Sequence, residues 1–323
     1  MSAPRPLQSF LGGLSLPVPI HALLVLNGSI FGVSGFIHRA IFGNKEALAG
    51  LAGMILGGIY VGLQERPNPL FVTTSIPQLL LSGFLVGLGS KLGDGCTSGH
   101  MLAGISRLSP RSIAATVFFF VGGSATAHIF HPNLPPTPPS NWELTNDSKQ
   151  LLLSQFLPLG LTALFYSFKV SHSEHKHDTI VSPVLRLLTG LTTSFEFALA
   201  LSLSNLTNPT RVISFLLLPI HKAFDPSLFW LACGAMPLAY VLYQYFRGDE
   251  RPKFGGDWCV PTNKTIDTRL LSGALLFGLG WGVSGICPGP GLVNLGRVMV
   301  SGGPGLGKML AWLAAVSIGG LLA

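Results

Sequence analysis

Apolar segments of about membrane-spanning length follow one another along nearly the whole chain, and they limit what it can fold into more than any other feature. A helix needs about 20 residues to cross a hydrocarbon layer about 30 Å thick. The predicted full spans are residues 47–63, 112–130, 151–168, 184–203, 228–246 and 308–322. Only 10% of the 323 residues are charged, whereas soluble domains carry about 25%, so too few charges remain to coat a soluble globule. We therefore predict an all-α, polytopic, multi-pass integral membrane protein in a lipid bilayer.

Shorter apolar segments lie between these spans. Residues 21–41, 79–92, 212–220, 270–283 and 292–300 are rich in glycine or end at glycine-rich turns. Because several are too short to cross a bilayer alone, we expect interrupted half-helices or re-entrant hairpins. Non-helical backbone at membrane depth is tolerated only where it is buried in protein or lines a wet cavity. The functional site should therefore lie at these interruptions.

The chain contains an internal repeat. The sequence LSGFLVGLG at 81–89 returns as LSGALLFGLG at 271–280, and a cysteine follows seven residues after each Gly-Leu-Gly, at Cys96 and Cys287. A proline-rich polar insert lies between the copies. We therefore divide the chain into an N-terminal tail (1–20), a first repeat (21–130), a linker loop (131–149) and a second repeat (150–323). The repeats should be related by pseudo-symmetry.

The residues around both cysteines break a helix and let a new one begin. Such a break directs backbone N–H groups and the positive end of a half-helix at one point, which is a geometry that binds anions. It also favours reactive or hydrogen-bonding thiols. The expected substrate-binding path comprises Lys91, Gly95, Cys96, Thr97, Ser98, Gly99, His100, Cys287, Pro288, Gly289 and Pro290.

Some of these residues have a second interpretation. A lone membrane cysteine is usually a small apolar filler, although two at matching positions argue against that. Lys91 could attract an anion, or it could form a structural pair with Asp94. His100 could orient a thiol or cap the restarting helix. These alternatives stay open at the level of sequence.

Other functional classes have little support. Basic residues are scattered singly, which argues against nucleic-acid binding. The sequence has no zinc-ligand spacing, and His172, His175 and His177 lie in a polar stretch that we interpret as a linker. Residues 302–309 resemble a phosphate-binding loop, but Met309 stands where a hydroxyl must bind magnesium. We expect no cofactor, no metal, no catalytic residues and no cleaved signal peptide.

The cysteine blocks resemble signatures of the YeeE/YedE family of sulphur-transport membrane proteins. The first is GCTSGH at 95–100 and the second is WGVSGICPGP at 281–290, and residues 205–216 and 225–228 match a further family stretch. The resemblance extends from about residue 23 to the C-terminus, and the chain looks like a fusion of two halves. It implies an hourglass-shaped protein whose waist, lined by thiols, passes thiosulfate or a related anion by S–H hydrogen bonding.

One departure from the family concerns a third cysteine, expected near the entrance of thiosulfate carriers. Residues 31–43 contain none; their polar members include Ser34, His38 and Arg39. Thiosulfate, sulphide, polysulphide and sulphite therefore all remain open as substrates.

Two hypotheses follow. The first is a gradient-driven transporter, not an enzyme, for a small sulphur-containing anion. The alternative is a membrane thiol oxidoreductase or sulfurtransferase that exchanges persulfide or disulfide, although a C-x-x-C pair is missing. A cytosolic sulphur carrier or sulfurtransferase would be the protein partner. Cys233, Cys259 and Glu196 have no assigned role.

Overall fold

The computed structural model describes residues 3–64, 75–168, 181–248, 251–302 and 305–323. Within these ranges the regular structure is helical, with one isolated bridge between Ser29 and Cys259. The helices are α1 (Pro6–Ser15), α2 (Pro17–Asn27), α3 (Val33–Ile41), α4 (Lys45–Gln64), α5 (Ile76–Leu92), a π-helix (Ser98–Gly104), α6 (Pro110–Phe130), α7 (Asn146–Ser154), α8 (Phe156–Ser167), α9 (Val181–Leu203), α10 (Pro209–Leu216), α11 (Ser227–Phe246), α12 (Thr268–Ser284), α13 (Pro288–Ser301) and α14 (Gly305–Leu321).

Six stretches of the described chain are long and apolar enough to cross a membrane. They are Pro6–Asn27, Lys45–Gln64, Pro110–Phe130, Pro183–Leu203, Ser227–Phe246 and Thr268–Ser301. The first joins α1 and α2, and the last joins α12 and α13 across a break. The prediction of an all-α, multi-pass membrane protein is confirmed.

The N-terminal segment is not a tail. Residues 6–20 form α1 and the start of α2, and α1 packs against α11. Ser9 also donates a buried hydrogen bond to the carbonyl of Ser204, the residue directly after α9 (3.0 Å). Pro17 and Pro19 do not prevent helix formation here. Both lie in the first turn of α2, where proline is tolerated because the N–H groups there have no helical partner.

The predicted span 151–168 is also wrong, because the chain breaks there into α7 and α8. Pro158 has no N–H to donate to the carbonyl of Ser154, and its ring clashes with a helical carbonyl four residues earlier. The helix α7 therefore ends at Ser154. With 12 residues, α8 is about 18 Å long, too short to cross about 30 Å of hydrocarbon.

The two Gly-Leu-Gly copies serve the same packing purpose. Helix α5 packs against α12 and α14, while α12 packs against α5 and α6. A Cβ on Gly89 would overlap the backbone of Phe277, and a Cβ on Gly280 would overlap the backbone of Ser82. The last glycine of each triplet thus lets α5 and α12 approach closely, just before each helix reaches its break.

Candidate functional site

Both interrupted helices break at the same position relative to their cysteine. Helix α5 ends at Leu92 and α12 ends at Ser284. Two residues before each cysteine the backbone enters the left-handed region, at Asp94 (φ 54°) and Gly285 (φ 68°). A side chain on Gly285 would also overlap the carbonyl of Pro209. The two breaks therefore share one backbone geometry, although only one of them is built with glycine.

Each cysteine is the residue at which the next helix begins. The carbonyl of Cys96 accepts from the His100 N–H (2.9 Å), and that of Cys287 accepts from the Gly291 N–H (2.9 Å). These hydrogen bonds begin the restarted segments: Cys287 is the N-cap of α13, and Cys96 directly precedes Thr97, the N-cap of the π-helix. The thiols consequently lie where the positive ends of two helical segments are directed.

Side chains from the two repeats meet at this point, which we name the constriction (Cys96, Thr97, Ser98 and Cys287). The two cysteines are 1% and 3% exposed, respectively. Thr97 donates through Oγ1 to the Cys287 sulphur at 3.7 Å, joining the repeats. The Cys96 sulphur and Ser98 Oγ are 3.3 Å apart, and Ser98 Oγ accepts from the Val33 N–H (3.3 Å). The constriction is therefore a small network of thiols and hydroxyls.

Two cavities lie on different faces of the constriction. Cys96, Thr97 and Ser98 line one of them, whereas the neighbouring Gly95 and Gly99 line the other. The segment that carries the first thiol is therefore the wall between two spaces. We name them the apolar chamber and the polar vestibule.

The polar vestibule is the larger space, about 460 Å³, and its wall is cationic. Arg39, Lys91, Arg107 and Arg111 line it, with Asp94 as the one carboxylate among its described lining residues. Asp94 is paired with Arg111 at 2.8 Å rather than with Lys91, so the structural Lys91–Asp94 pair considered from the sequence is not formed. Lys91 is exposed and forms no ion pair among the described residues. The vestibule thus favours anions.

Two histidines in the vestibule wall add little charge at neutral pH. Burial, with a smaller contribution from the Lys91 charge, lowers the pKa of His38, whose Nε2 lies 3.4 Å from Ser90 Oγ. Burial also lowers the pKa of His100. Burial lowers the pKa of Arg107, but its ordinary value is so high that the side chain stays charged. Arg107 donates hydrogen bonds to two carbonyls. The positive charge therefore comes from arginine and lysine.

His100 holds the end of α5 rather than a thiol. Its Nε2 is 2.8 Å from the Gly93 carbonyl and its Nδ1 is 3.2 Å from Ser112 Oγ. Because a carbonyl can only accept, Nε2 carries the proton and, in the neutral ring, Nδ1 accepts from the serine. The ring also fills the space that a side chain at position 95 would need, which explains Gly95.

The apolar chamber, about 90 Å³, is lined almost wholly by carbon apart from the constriction. Its aromatic wall consists of Phe120, Phe197, Phe215 and Trp281, and the indole N–H of Trp281 finds no acceptor among the described residues. Sequence reasoning missed the three phenylalanines, because a phenylalanine in a membrane helix gives no sign of which side it faces. A hydrated ion could not occupy this chamber without losing water.

The proline-rich side of the constriction belongs to α13. Gly289 and Pro290 line the apolar chamber, whereas Pro288 is buried as the first residue of the helix and does not line either cavity. Since prolines lack an N–H, Gly289 supplies the backbone donor among these three residues, and its N–H interacts with the Cys287 thiol.

The two remaining cysteines differ in position. Cys259 is exposed and lines the polar vestibule. Its N–H donates to the Gly28 carbonyl (2.8 Å), and this bond holds the loop that carries Cys259 beside Ser29. Residues 31–43 contain no cysteine, yet a distant loop places one in the same vestibule. Cys233 is half-buried in α11 and lines neither cavity. The three histidines at 172–177 lie outside the described residues.

Comparisons with known proteins place the two halves of the chain in related groups. A family model described as "Sulphur transport" matches residues 51–125, and one described as "Family of unknown function (DUF6691)" matches residues 184–322. Two "Probable transporter" proteins of Xylella fastidiosa (strain Temecula1) are 42% identical over 120 residues and 34% identical over 135 residues. These matches cover 36% and 42% of this chain, and 89% and 86% of the relatives.

The "Thiosulfate transporter TsuA" of Spirochaeta thermophila is 30% identical over 81 residues, covering 25% of this chain and 23% of that protein. No solved structure matches the chain. Three findings indicate the same family. Two short relatives are covered almost over their whole length, two family models match different halves of the chain, and both cysteine blocks are present. The chain belongs to the YeeE/YedE family of sulphur-transport membrane proteins.

Proposed function

We propose that this protein is a membrane transporter that passes thiosulfate, or another small sulphur-containing anion, through the constriction between Cys96 and Cys287. The observation that carries the proposal is that both buried thiols line the apolar chamber, while Gly95 and Gly99, on either side of Cys96 in the same segment, line the cationic vestibule. The similarity to a thiosulfate transporter supports the choice of substrate.

The chemistry of the constriction suits weak, reversible binding of a sulphur anion. A dianion in a low-dielectric passage needs hydrogen-bond donors, yet a fixed opposite charge would hold it too strongly for release. The two thiols provide neutral donors, and the hydroxyls of Thr97 and Ser98 contact their sulphur atoms, while the charges of Arg39 and Lys91 lie in the vestibule, not at the constriction. The vestibule collects the anion and the thiols pass it on.

The described conformation is closed on the side of the apolar chamber. Carbon atoms line this chamber. A narrow apolar passage blocks ions because water does not fill it. Transport therefore includes a step in which the aromatic wall separates. After release, a cytosolic sulphur carrier or sulfurtransferase would receive the anion.

The burial of the thiols argues against the exchange of persulfide or disulfide with a partner protein. Such exchange needs a thiolate to reach a second sulphur, and residues that are 1% and 3% exposed are out of reach for another protein. All four cysteines are free thiols. The anion thus passes through chemically unchanged.

Uptake of radiolabelled thiosulfate into proteoliposomes tests the proposal. We expect uptake by the wild type, with sulphate competing poorly, and strong loss in the Cys96→Ala, Cys287→Ala double variant. Cys233→Ala is the matched control, because this half-buried cysteine lines neither cavity and its loss should leave uptake unchanged. Wild-type rates in the inserted double variant would refute the mechanism. Sulphite and polysulphide as competitors rank the substrates.

A further inference from the structure

Glu196 lies in the membrane and lines neither the apolar chamber nor the polar vestibule, so the transport path described above does not use it. It belongs to the membrane-crossing stretch Pro183–Leu203 of α9 and is 1% exposed. Neither carboxylate oxygen has a hydrogen bond of ordinary geometry in the described part of the chain, where the Thr162 hydroxyl is the side-chain donor beside it, and none of the described ion pairs includes it. An isolated ionised carboxylate costs far too much in such surroundings, so the group carries a proton in this conformation.

The surroundings of Glu196 contain further polar atoms without partners. Thr162, on the facing helix α8, is buried, and so is Gln155, seven residues earlier on the same face. The Thr162 hydroxyl and the Gln155 Nε2 also lack partners among the described residues. Buried polar groups of this kind are usually satisfied by internal water. The contact between α8 and α9 is therefore a place where water can deliver a proton.

No cation faces Glu196 from the described elements packed on α9. The titratable and charged groups of these elements are Arg5 before α1, His21 on α2, Lys45, Glu46 and Tyr60 on α4, Asp147 and Lys149 on α7, Tyr166 on α8, Arg186 on α9 itself and Arg297 on α13. Of these, Tyr166 is close enough to interact electrostatically with Glu196. A tyrosine is neutral at physiological pH, so the carboxyl has no counter-ion.

Helix α9 also forms part of the transport path. Phe197, the next residue, and Leu201, about one turn further on, line the apolar chamber. A movement of α9 that opens the chamber to an anion therefore also moves Glu196. The binding of a proton and the opening of the path are thus mechanically linked.

We propose that Glu196 is the proton-binding site through which this transporter couples anion uptake to a proton gradient. The inference rests on the proposed function. A membrane potential that is negative inside opposes the entry of each negative charge, and a co-transported proton cancels one charge of a dianion. Glu196 takes up the proton from the side where the anion enters and releases it on the other side.

The test compares the wild type, Glu196→Gln and Thr189→Val in proteoliposomes that contain a pH-sensitive dye. Thr189 is the matched control, since it is buried on the same helix and its hydroxyl also lacks a described partner. In the wild type and the control, an acid exterior should raise thiosulfate uptake several-fold, and protons should enter with the anion. Glu196→Gln should retain exchange of labelled for unlabelled thiosulfate but lose both responses. Wild-type stimulation in Glu196→Gln would overturn the proposal.

A second measurement does not depend on the variant folding or on transport. Dicyclohexylcarbodiimide reacts with protonated carboxyls in apolar surroundings, and mass spectrometry of the wild-type protein locates the adduct. We expect modification at Glu196 that declines as the pH rises. An unmodified Glu196 at acidic pH would overturn its assignment as a proton site. Modification at Glu196 together with no thiosulfate uptake by the wild type would refute the proposed substrate and leave the proton site supported.

Discussion

Replacing Thr97 with valine removes the hydrogen bond that joins the two repeats at the constriction while nearly preserving the shape of the side chain. Thr97 Oγ1 donates to the Cys287 sulphur at 3.7 Å. Valine keeps the branched Cβ, so the variant opens no large cavity beside the thiol. The substitution therefore isolates the contribution of one donor.

The expected effect can be estimated from the chemistry of the bond. A neutral hydrogen bond contributes about 0.5–1.5 kcal/mol net, and a long bond to a weak sulphur acceptor belongs in the lower part of that range. A loss of about 0.5–1 kcal/mol corresponds to a decrease of about two- to fivefold in uptake, at about 1.4 kcal/mol per factor of ten. A direct contact with the anion would instead cost about 1.5–3 kcal/mol, more than tenfold.

The assay is the initial rate of thiosulfate uptake by Thr97→Val, with Thr97→Ser as the variant that retains the hydroxyl. We expect the serine variant to transport at nearly the wild-type rate. In a Cys287→Ala background the valine substitution should have no further effect, because its partner is already absent.

Two results would refute this reasoning. Unchanged uptake in Thr97→Val would show that the cross-repeat bond does not position the thiol. A decrease well beyond tenfold, persisting in the Cys287→Ala background, would show that the hydroxyl binds the anion itself.

Substitutions at three other positions test the helix breaks and the chamber. In Gly285→Ala the new Cβ would sit on a left-handed backbone and overlap the Pro209 carbonyl. We expect the free energy of unfolding to fall by at least about 2 kcal/mol. Fluorescence-detected size-exclusion chromatography should then show a low yield of folded protein. Asp94→Gly and Asp94→Ala both delete the ion pair with Arg111, but only glycine relieves the left-handed strain; thermal melting should find the glycine variant more stable by about 1 kcal/mol, and equal stability would contradict the strain. Trp281→Phe removes a buried indole N–H that has no acceptor among the described residues. If the transported anion is its acceptor, the KM for uptake should rise about tenfold. An unchanged KM would exclude a hydrogen bond between Trp281 and the anion.

Much of the fold could be predicted because its causes are local. The spans 47–63, 112–130, 184–203 and 228–246 match helices α4, α6, α9 and α11, since hydropathy and length alone decide whether a segment can cross a bilayer. The two incorrect segments both contain prolines. The effect of a proline depends on where the helix begins. Pro17 is the first residue of α2, whereas Pro158, in the first turn of α8, prevents α7 from continuing.

The site was predictable in part for the same reason. Gly95 and Gly285 precede thiols at breaks that glycine and proline spacing revealed, and the two cysteine blocks were recognisable as short stretches of chain. The sequence did not indicate the partner of Asp94, the two bonds of His100 or the place of Cys259 in the vestibule. The first two depend on how α5, the π-helix and α6 pack together, and the third depends on a contact between Cys259 and the distant Gly28.

The sequence by itself determined that this chain is a membrane protein with two copies of a thiol-bearing helix break, because hydropathy, helix termination and repetition act over a few turns of chain. Only the tertiary structure decided that the two thiols meet through Thr97, that cations collect on one face of the constriction and aromatic rings on the other, and that Glu196 is left without a counter-ion. These are relations between helices, and the packing of whole helices decides which side chains face one another.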